Sequence, residues 1–201
     1  MNDVDKIIEI LEKKKIQLEP GLSDKEIQDV EAQFQFRFPP DLRLLFQTVL
    51  PVSKEFYHWR KALVDAETAE HIDEMLNWPR EGILFDVEYA NFWVHRDLPG
   101  VPAWGAKPAT LEMQLETASK HLSSYVRLIP VFSHRYLPEK PFEEGNPVFS
   151  VYQTDIIYYG DSLVNYFRNE FEQGTEYDAE KIKHIPFWSD CCLGVFDEVE
   201  N

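Results

Sequence analysis

The segment Ser133-His134-Arg135-Tyr136-Leu137-Pro138 gathers the chain's most reactive polar side chains at the end of a strand-like run. A histidine and an arginine at a strand end can build an anion or carboxylate site, with an imidazole titrating near neutrality beside a planar fork of donors. A second group, Tyr152, Gln153, Thr154, Asp155, Tyr158 and Tyr159, supplies an acid. Together His134, Arg135 and Asp155 would make a hydrolase-type trio. Structural roles compete for the same residues and are preferred: an ion pair for Arg135, a loop cap for His134, a turn for Asp155. The stronger enzyme signatures do not occur. The sequence has no glycine-rich phosphate loop, GxSxG elbow, HExxH or paired CxxC, and none of its six histidines has a partner histidine four residues away. No catalytic residue, metal or cofactor is expected.

Carboxylates are plentiful: Asp65, Glu67, Glu70, Asp73 and Glu74; Asp86 and Glu88; Glu139, Glu143 and Glu144. In a chain with 36 acidic and 20 basic residues such neighbours arise by chance, so a glycosidase-like pair has no special support. The first group suits a solvated helical face. Its functional reading, with Glu139, Glu143 and Glu144, is a negative surface that attracts a basic partner. Tryptophan anchors would add contact energy there, and Trp104, in a Gly/Pro-rich loop, is the expected exposed anchor.

The formal charge of −16 divides equally about residue 100, so the acidity is not an appended tail. Such a surface repels nucleic acid and anionic membranes and steers basic proteins inward. At 44% hydrophobic and 14% aromatic content, the 201 residues can nevertheless build a core. The start of the chain lacks a signal-peptide pattern, and no run of residues has the length of a membrane span. The only cysteines, Cys191 and Cys192, are adjacent, read as two buried free thiols. A cytoplasmic protein is expected.

The elements that must position these groups are clearest near the N-terminus. Val4, Ile7, Ile8 and Leu11 predict a helix that continues until Pro20-Gly21. Ser23-Asp24-Lys25-Glu26 matches a capping box for a second helix through Ile27, Val30 and Phe34. Pro39, Pro40 and Asp41 begin a third, carrying Leu42, Leu45 and Phe46. Residues 66–77 read as helix and 82–94, dense in alternating aromatic and β-branched residues, as one or two strands. A helix is expected over 109–123, strands over 126–132, 147–153 and 156–159, and a last helix after Gly160. The expectation is a single α+β domain over 1–201, with an N-terminal helix in 1–18, a core in 21–190, and a mixed or antiparallel sheet flanked by helices.

Two stretches resemble the SUKH superfamily, which contains the fungal cell-wall assembly regulator and many bacterial proteins. The first is Gly21-Leu22-Ser23, Ile27, Glu31, then Phe38-Pro39-Pro40-Asp41-Leu42-Arg43-Leu44-Leu45. The second joins Leu128-Ile129-Pro130-Val131-Phe132 to Gly145-Asn146-Pro147-Val148-Phe149-Ser150 and Asp155-Ile156-Ile157-Tyr158-Tyr159-Gly160. The chain departs at Leu50-Pro51, where the family commonly has an Asn-Gly turn. The resemblance implies a non-enzymatic protein-binding domain. On it, Ser23, Glu26, Pro39, Pro40 and Asp41 are scaffold, and the function is that of an immunity protein neutralising a cognate bacterial toxin, a nuclease being one candidate, by direct contact. A regulatory scaffold without a toxin partner is the alternative, and an enzyme using His134, Arg135 and Asp155 a more distant one.

Overall fold

The computed structural model describes residues 2–172, 174 and 177–196. The chain is α+β, and its described residues contain eight helices and two antiparallel sheets. In order these are α1 (Asp3–Lys13), β1 (Leu18–Pro20), α2 (Asp24–Phe34), α3 (Pro40–Thr48), β2 (Val49–Pro51), α4 (Trp59–Ala62) and α5 (Ala66–Tyr89). There follow α6 (Leu111–Leu122), β3 (Leu128–Phe132), β4 (Arg135–Pro138), β5 (Val148–Tyr152), β6 (Asp155–Gly160), α7 (Leu163–Glu172) and α8 (Trp188–Cys192). Strands β1 and β2 pair with each other, and β3-β4-β5-β6 form a four-stranded meander. Two compact units emerge: Met1–Leu76 with Arg127–Ser150 and Tyr158–Lys183, and Asn77–Val126 with Val151–Ile157 and His184–Asn201.

The first unit holds the helices foreseen at the N-terminus. Helix α1 buries Val4, Ile7, Ile10 and Leu11 and packs on α7. It stops at Lys13, earlier than the 1–18 expected, because Lys15 turns left-handed (φ 57°) and Leu18–Pro20 leave to pair with Val49–Pro51. The same pairing puts Leu50-Pro51 in a strand. Gly21 runs so close to α3 that a β-carbon there would sit 2.0 Å from the Gln47 carbonyl oxygen. Five aromatic side chains fill the centre: Phe34, Phe36, Phe38 and Phe46 pack around Trp59, which is fully buried. Edge-to-face contacts dominate, as ring quadrupoles favour.

The Pro-Pro-Asp corner is a junction. Pro40 occupies the first turn of α3, where its missing N–H costs nothing. Glu31 of α2 accepts from Phe38 N (3.0 Å) and from the Arg43 guanidinium (3.1 Å), fixing the angle between α2 and α3. Asp41 accepts from its neighbour Leu42 N and, across the fold, from Gly145 N (3.2 Å), which ties the loop before β5 to the corner. Burial raises the Asp41 carboxyl, with these amide bonds opposing the shift. Ser23 and Glu26 form the capping box as read: Glu26 N donates to Ser23 Oγ (3.2 Å) and Ser23 N to Glu26 Oε2 (2.7 Å). Arg60 then joins Glu26 (2.6 Å), Glu19 (2.8 Å) and the carbonyls of Pro20 and Gly21, a staple with no sequence signal.

The second unit departs most from expectation. Residues 82–89 are not strand; they complete α5, which runs through Pro79. The buried positions Ile72, Leu76, Ile83 and Val87 keep helical spacing across the proline, and this packing outweighs the local β-propensity of Phe85, Val87 and Tyr89. Pro79 has no N–H for the carbonyl of Met75, and the buried Tyr136 hydroxyl donates to that oxygen instead (2.9 Å). Gly82 lets the hairpin turn approach: a β-carbon would lie 2.9 Å from Gln153 Cα. The turn residues are Gln153 and Thr154, one earlier than expected, with Gln153 at φ 57°. Buried Asp86 secures it, accepting from Thr154 N (2.8 Å) and Oγ1 (2.6 Å). The core of this unit stacks Trp93, Trp104, Tyr125, Phe187 and Trp188.

Candidate interaction surface

The chemistry-bearing side chains are largely committed to structure. Residues 133–134 are the turn of the β3–β4 hairpin, and Arg135 starts β4. The Arg135 guanidinium bonds Glu170 (3.0 Å) and Ser150 Oγ (2.9 Å) and lies 3.9 Å from the centre of the Tyr159 ring. Both members of the ion pair are largely buried, at 11% and 17% side-chain exposure, so the arginine is spent on holding the sheet to α7. His134 Nδ1 sits 3.2 Å from Ser133 Oγ, and burial, then the neighbouring Arg135 charge, lowers its affinity for a proton. Asp155 is exposed at the start of β6. Arg135 is thus paired, His134 sits in the hairpin turn beside Ser133, and Asp155 faces solvent.

Other reactive groups behave alike. His184 Nε2 lies 2.8 Å from Asp190 Oδ1, while Asp190 Oδ2 caps α8 by accepting from Phe187 N (2.8 Å). That bond helps hold Phe187 at φ 71°, a region an aromatic residue rarely enters. Cys191 and Cys192 are only partly buried, against the full burial expected. Desolvation pushes the Cys192 thiol up to about 12, so it stays protonated and unreactive at neutral pH. Among the described residues no group of three or more His, Cys, Asp or Glu side chains could hold a metal ion.

The predicted acidic surface divides into members with a clear structural role and members exposed to solvent. Asp65 is the cap of α5, accepting from Thr68 N (2.9 Å) with Lys61 3.5 Å away, and the Thr68 hydroxyl bond holds its carboxyl below the usual range. Glu139, half-buried, accepts from Arg37 N (2.9 Å). Glu143 pairs with Lys183 (2.8 Å), whose ammonium also donates to the Glu144 carbonyl (2.6 Å). Glu67, Glu70, Asp73 and Glu74 are exposed along the first half of α5, Glu74 lying 3.8 Å from His71. Glu144 is exposed as well.

Trp104 is the clear correction. It is 3% exposed, its indole N–H donates to the Tyr125 hydroxyl (2.9 Å), and its ring packs on Trp93, His121 and Phe187. A Gly/Pro-rich loop carries it, but the loop folds the indole into the core. Four exposed rings stand elsewhere in the same unit. Trp78, Phe85 and Tyr89 of α5 are 38%, 47% and 66% exposed, and Tyr152 beside them is 57% exposed. The Trp78 and Tyr152 ring centres are 6.4 Å apart, those of Phe85 and Tyr89 4.5 Å. Spacings of seven and four residues align 78, 85 and 89 on one helical stripe, opposite Ile83 and Val87. Glu81 and Glu88 edge it and are exposed. The signal was present in the sequence as the helical period of 72, 76, 83 and 87 continuing past Pro79.

No helix among the described residues is long and apolar enough to cross a membrane. Comparison with protein-family models, curated proteins and solved structures finds no match.

Proposed function

We propose that this chain is a non-enzymatic protein-binding domain of SUKH type that neutralises a cationic protein, a bacterial toxin such as a nuclease, by covering its working surface. The observation that carries the reading is the ring stripe Trp78, Phe85, Tyr89 and Tyr152, bordered by carboxylates on a chain of charge −16. Aromatic side chains left in water beside acids are costly for a protein with nothing to bind, and they are the residue types that dominate interface energetics. The connected corner of Glu31, Phe38, Asp41, Arg43 and Gly145 supports the family resemblance, since its motif residues do a shared structural job. A nuclease needs basic surface to hold phosphates, and an acidic blocker competes for that surface.

The test begins with capture from the native host on immobilised chain at low and physiological salt. The captured cationic protein is then purified and its activity titrated with this chain. Inhibition complete at a fixed stoichiometry, with an association rate that falls as salt rises, is the expected result. A partner whose activity is untouched by saturating chain, or whose association ignores salt, refutes the proposal.

A further inference from the structure

Among the described residues, three basic side chains lie over aromatic rings. Arg37 sits 4.1 Å from the centre of Phe142, Arg135 3.9 Å from that of Tyr159, and Lys107 5.6 Å from that of Trp93. In the Arg135 case the guanidinium stacks on the ring while its edge meets the Glu170 carboxylate, satisfying face and fork together. The stripe on α5 repeats the receiving half of that arrangement. Trp78, Phe85, Tyr89 and Tyr152 offer ring faces, Glu81 and Glu88 offer carboxylates at the edge, and among the described residues no cation lies over any of the four rings.

We infer that this stripe docks an arginine-bearing segment of the partner protein, with guanidinium groups laid on the rings and forked onto Glu81 and Glu88. The inference rests on the protein-binding reading above and names the chemistry of its contact. Trp78 and Tyr89 are eleven residues apart, so the rings span about 16 Å of helix, the reach of three turns of a partner helix or a five-residue extended segment. Charge selects the occupant. Anionic lipid and nucleic acid are repelled by a chain at −16, and a second copy would bring the same acidic edges face to face. Arginine is favoured over lysine because its planar, weakly hydrated group stacks and bonds at once, whereas an ammonium keeps its water.

Two synthetic fifteen-residue helical peptides test this, identical except that one carries arginine and the other lysine at positions i, i+4 and i+7. Binding is followed by NMR, using the Trp78 indole N–H assigned by its loss in W78F. The arginine peptide is expected to bind at least about fivefold more tightly, the effect of one to two exposed cation–π contacts. Phe85→Ala with Tyr152→Ala removes that preference while circular dichroism shows the fold intact. Equal affinity for the two peptides, no binding of either at millimolar concentration, or an unchanged preference in the double variant overturns the inference. The protein-binding reading stands or falls separately: a captured toxin still inhibited by the F85A/Y152A variant, but released by E67Q/E70Q/E74Q, keeps that reading and rejects the stripe.

Discussion

Tyr136→Phe removes one hydroxyl from a fully buried ring, and its effect is set by a proline on another element. In an unbroken helix the amide of residue 79 would bond the carbonyl of Met75; Pro79 cannot, and the Tyr136 hydroxyl donates there at 2.9 Å. The phenylalanine keeps the packing and strands the carbonyl. A buried acceptor left without its donor costs about 1–3 kcal/mol, so a loss of about 2 kcal/mol is expected. For a chain of 201 residues that lowers the melting temperature by about 4–8 °C. The cause is isolated by repeating the substitution in Pro79→Ala, where the restored amide can serve Met75. There the cost of Y136F should fall to about 0.5–1 kcal/mol, a coupling measurable by urea denaturation of the four variants. If Y136F costs the same in both backgrounds, the hydroxyl is not standing in for the missing amide.

Three further substitutions separate a backbone clash, a backbone preference and an ion pair. Gly21→Ala places a methyl 2.0 Å from the Gln47 carbonyl oxygen, backbone against backbone, and should cost about 3 kcal/mol or more in urea denaturation. Gly105→Ala has open space and only a positive φ of 80° to contend with, so a loss nearer 1 kcal/mol separates clash from backbone preference. Glu26→Gln tests the staple through pH. The Arg60 hydrogen bond holds the Glu26 carboxyl at about 2, below its ordinary 4.5, so its stabilisation is complete above pH 4.5 and drains away as pH falls toward 2. With the side chain 28% exposed, solvent screening leaves about 1.5–2 kcal/mol of the full shift at pH 7. The gap between native and variant stability should close over that acidic interval; a gap independent of pH would remove the ion pair from the explanation.

The parts of the fold legible in the sequence are those written in local chemistry. Ser23 and Glu26 announce a helix start because their hydrogen bonds span three residues, and Pro39-Pro40-Asp41 does the same for α3. The strands at 128–132, 148–152 and 155–160 show through their β-branched and aromatic content. The second half of α5 did not, because Phe85, Val87 and Tyr89 alternate as a strand does, and the donor that makes Pro79 tolerable lies on β4, 57 residues beyond it. Arg60's four partners and Asp41's bond to Gly145 are equally long-range and leave no local trace. Trp104 is buried against its local sequence signal for a related reason. Glycine and proline around an indole describe the path of the backbone and say nothing about which side of it is wet.

Net charge and exposed rings act on different parts of a binding event, and this separates their consequences. Coulombic attraction from 36 acids reaches a partner before contact, over a Debye length of about 8 Å at physiological salt, so it governs encounter. Ring stacking operates only at contact and governs how long the complex lasts. Charge neutralisation at Glu67, Glu70 and Glu74 should therefore slow association and weaken its salt dependence while leaving dissociation nearly unchanged. Truncating Phe85 and Tyr152 should speed dissociation at every salt concentration. Stopped-flow mixing with the purified partner resolves the two rates. An association rate that responds to the ring variants and not to the acid variants would reverse the assignment, making the acids of α5 ordinary solvated surface.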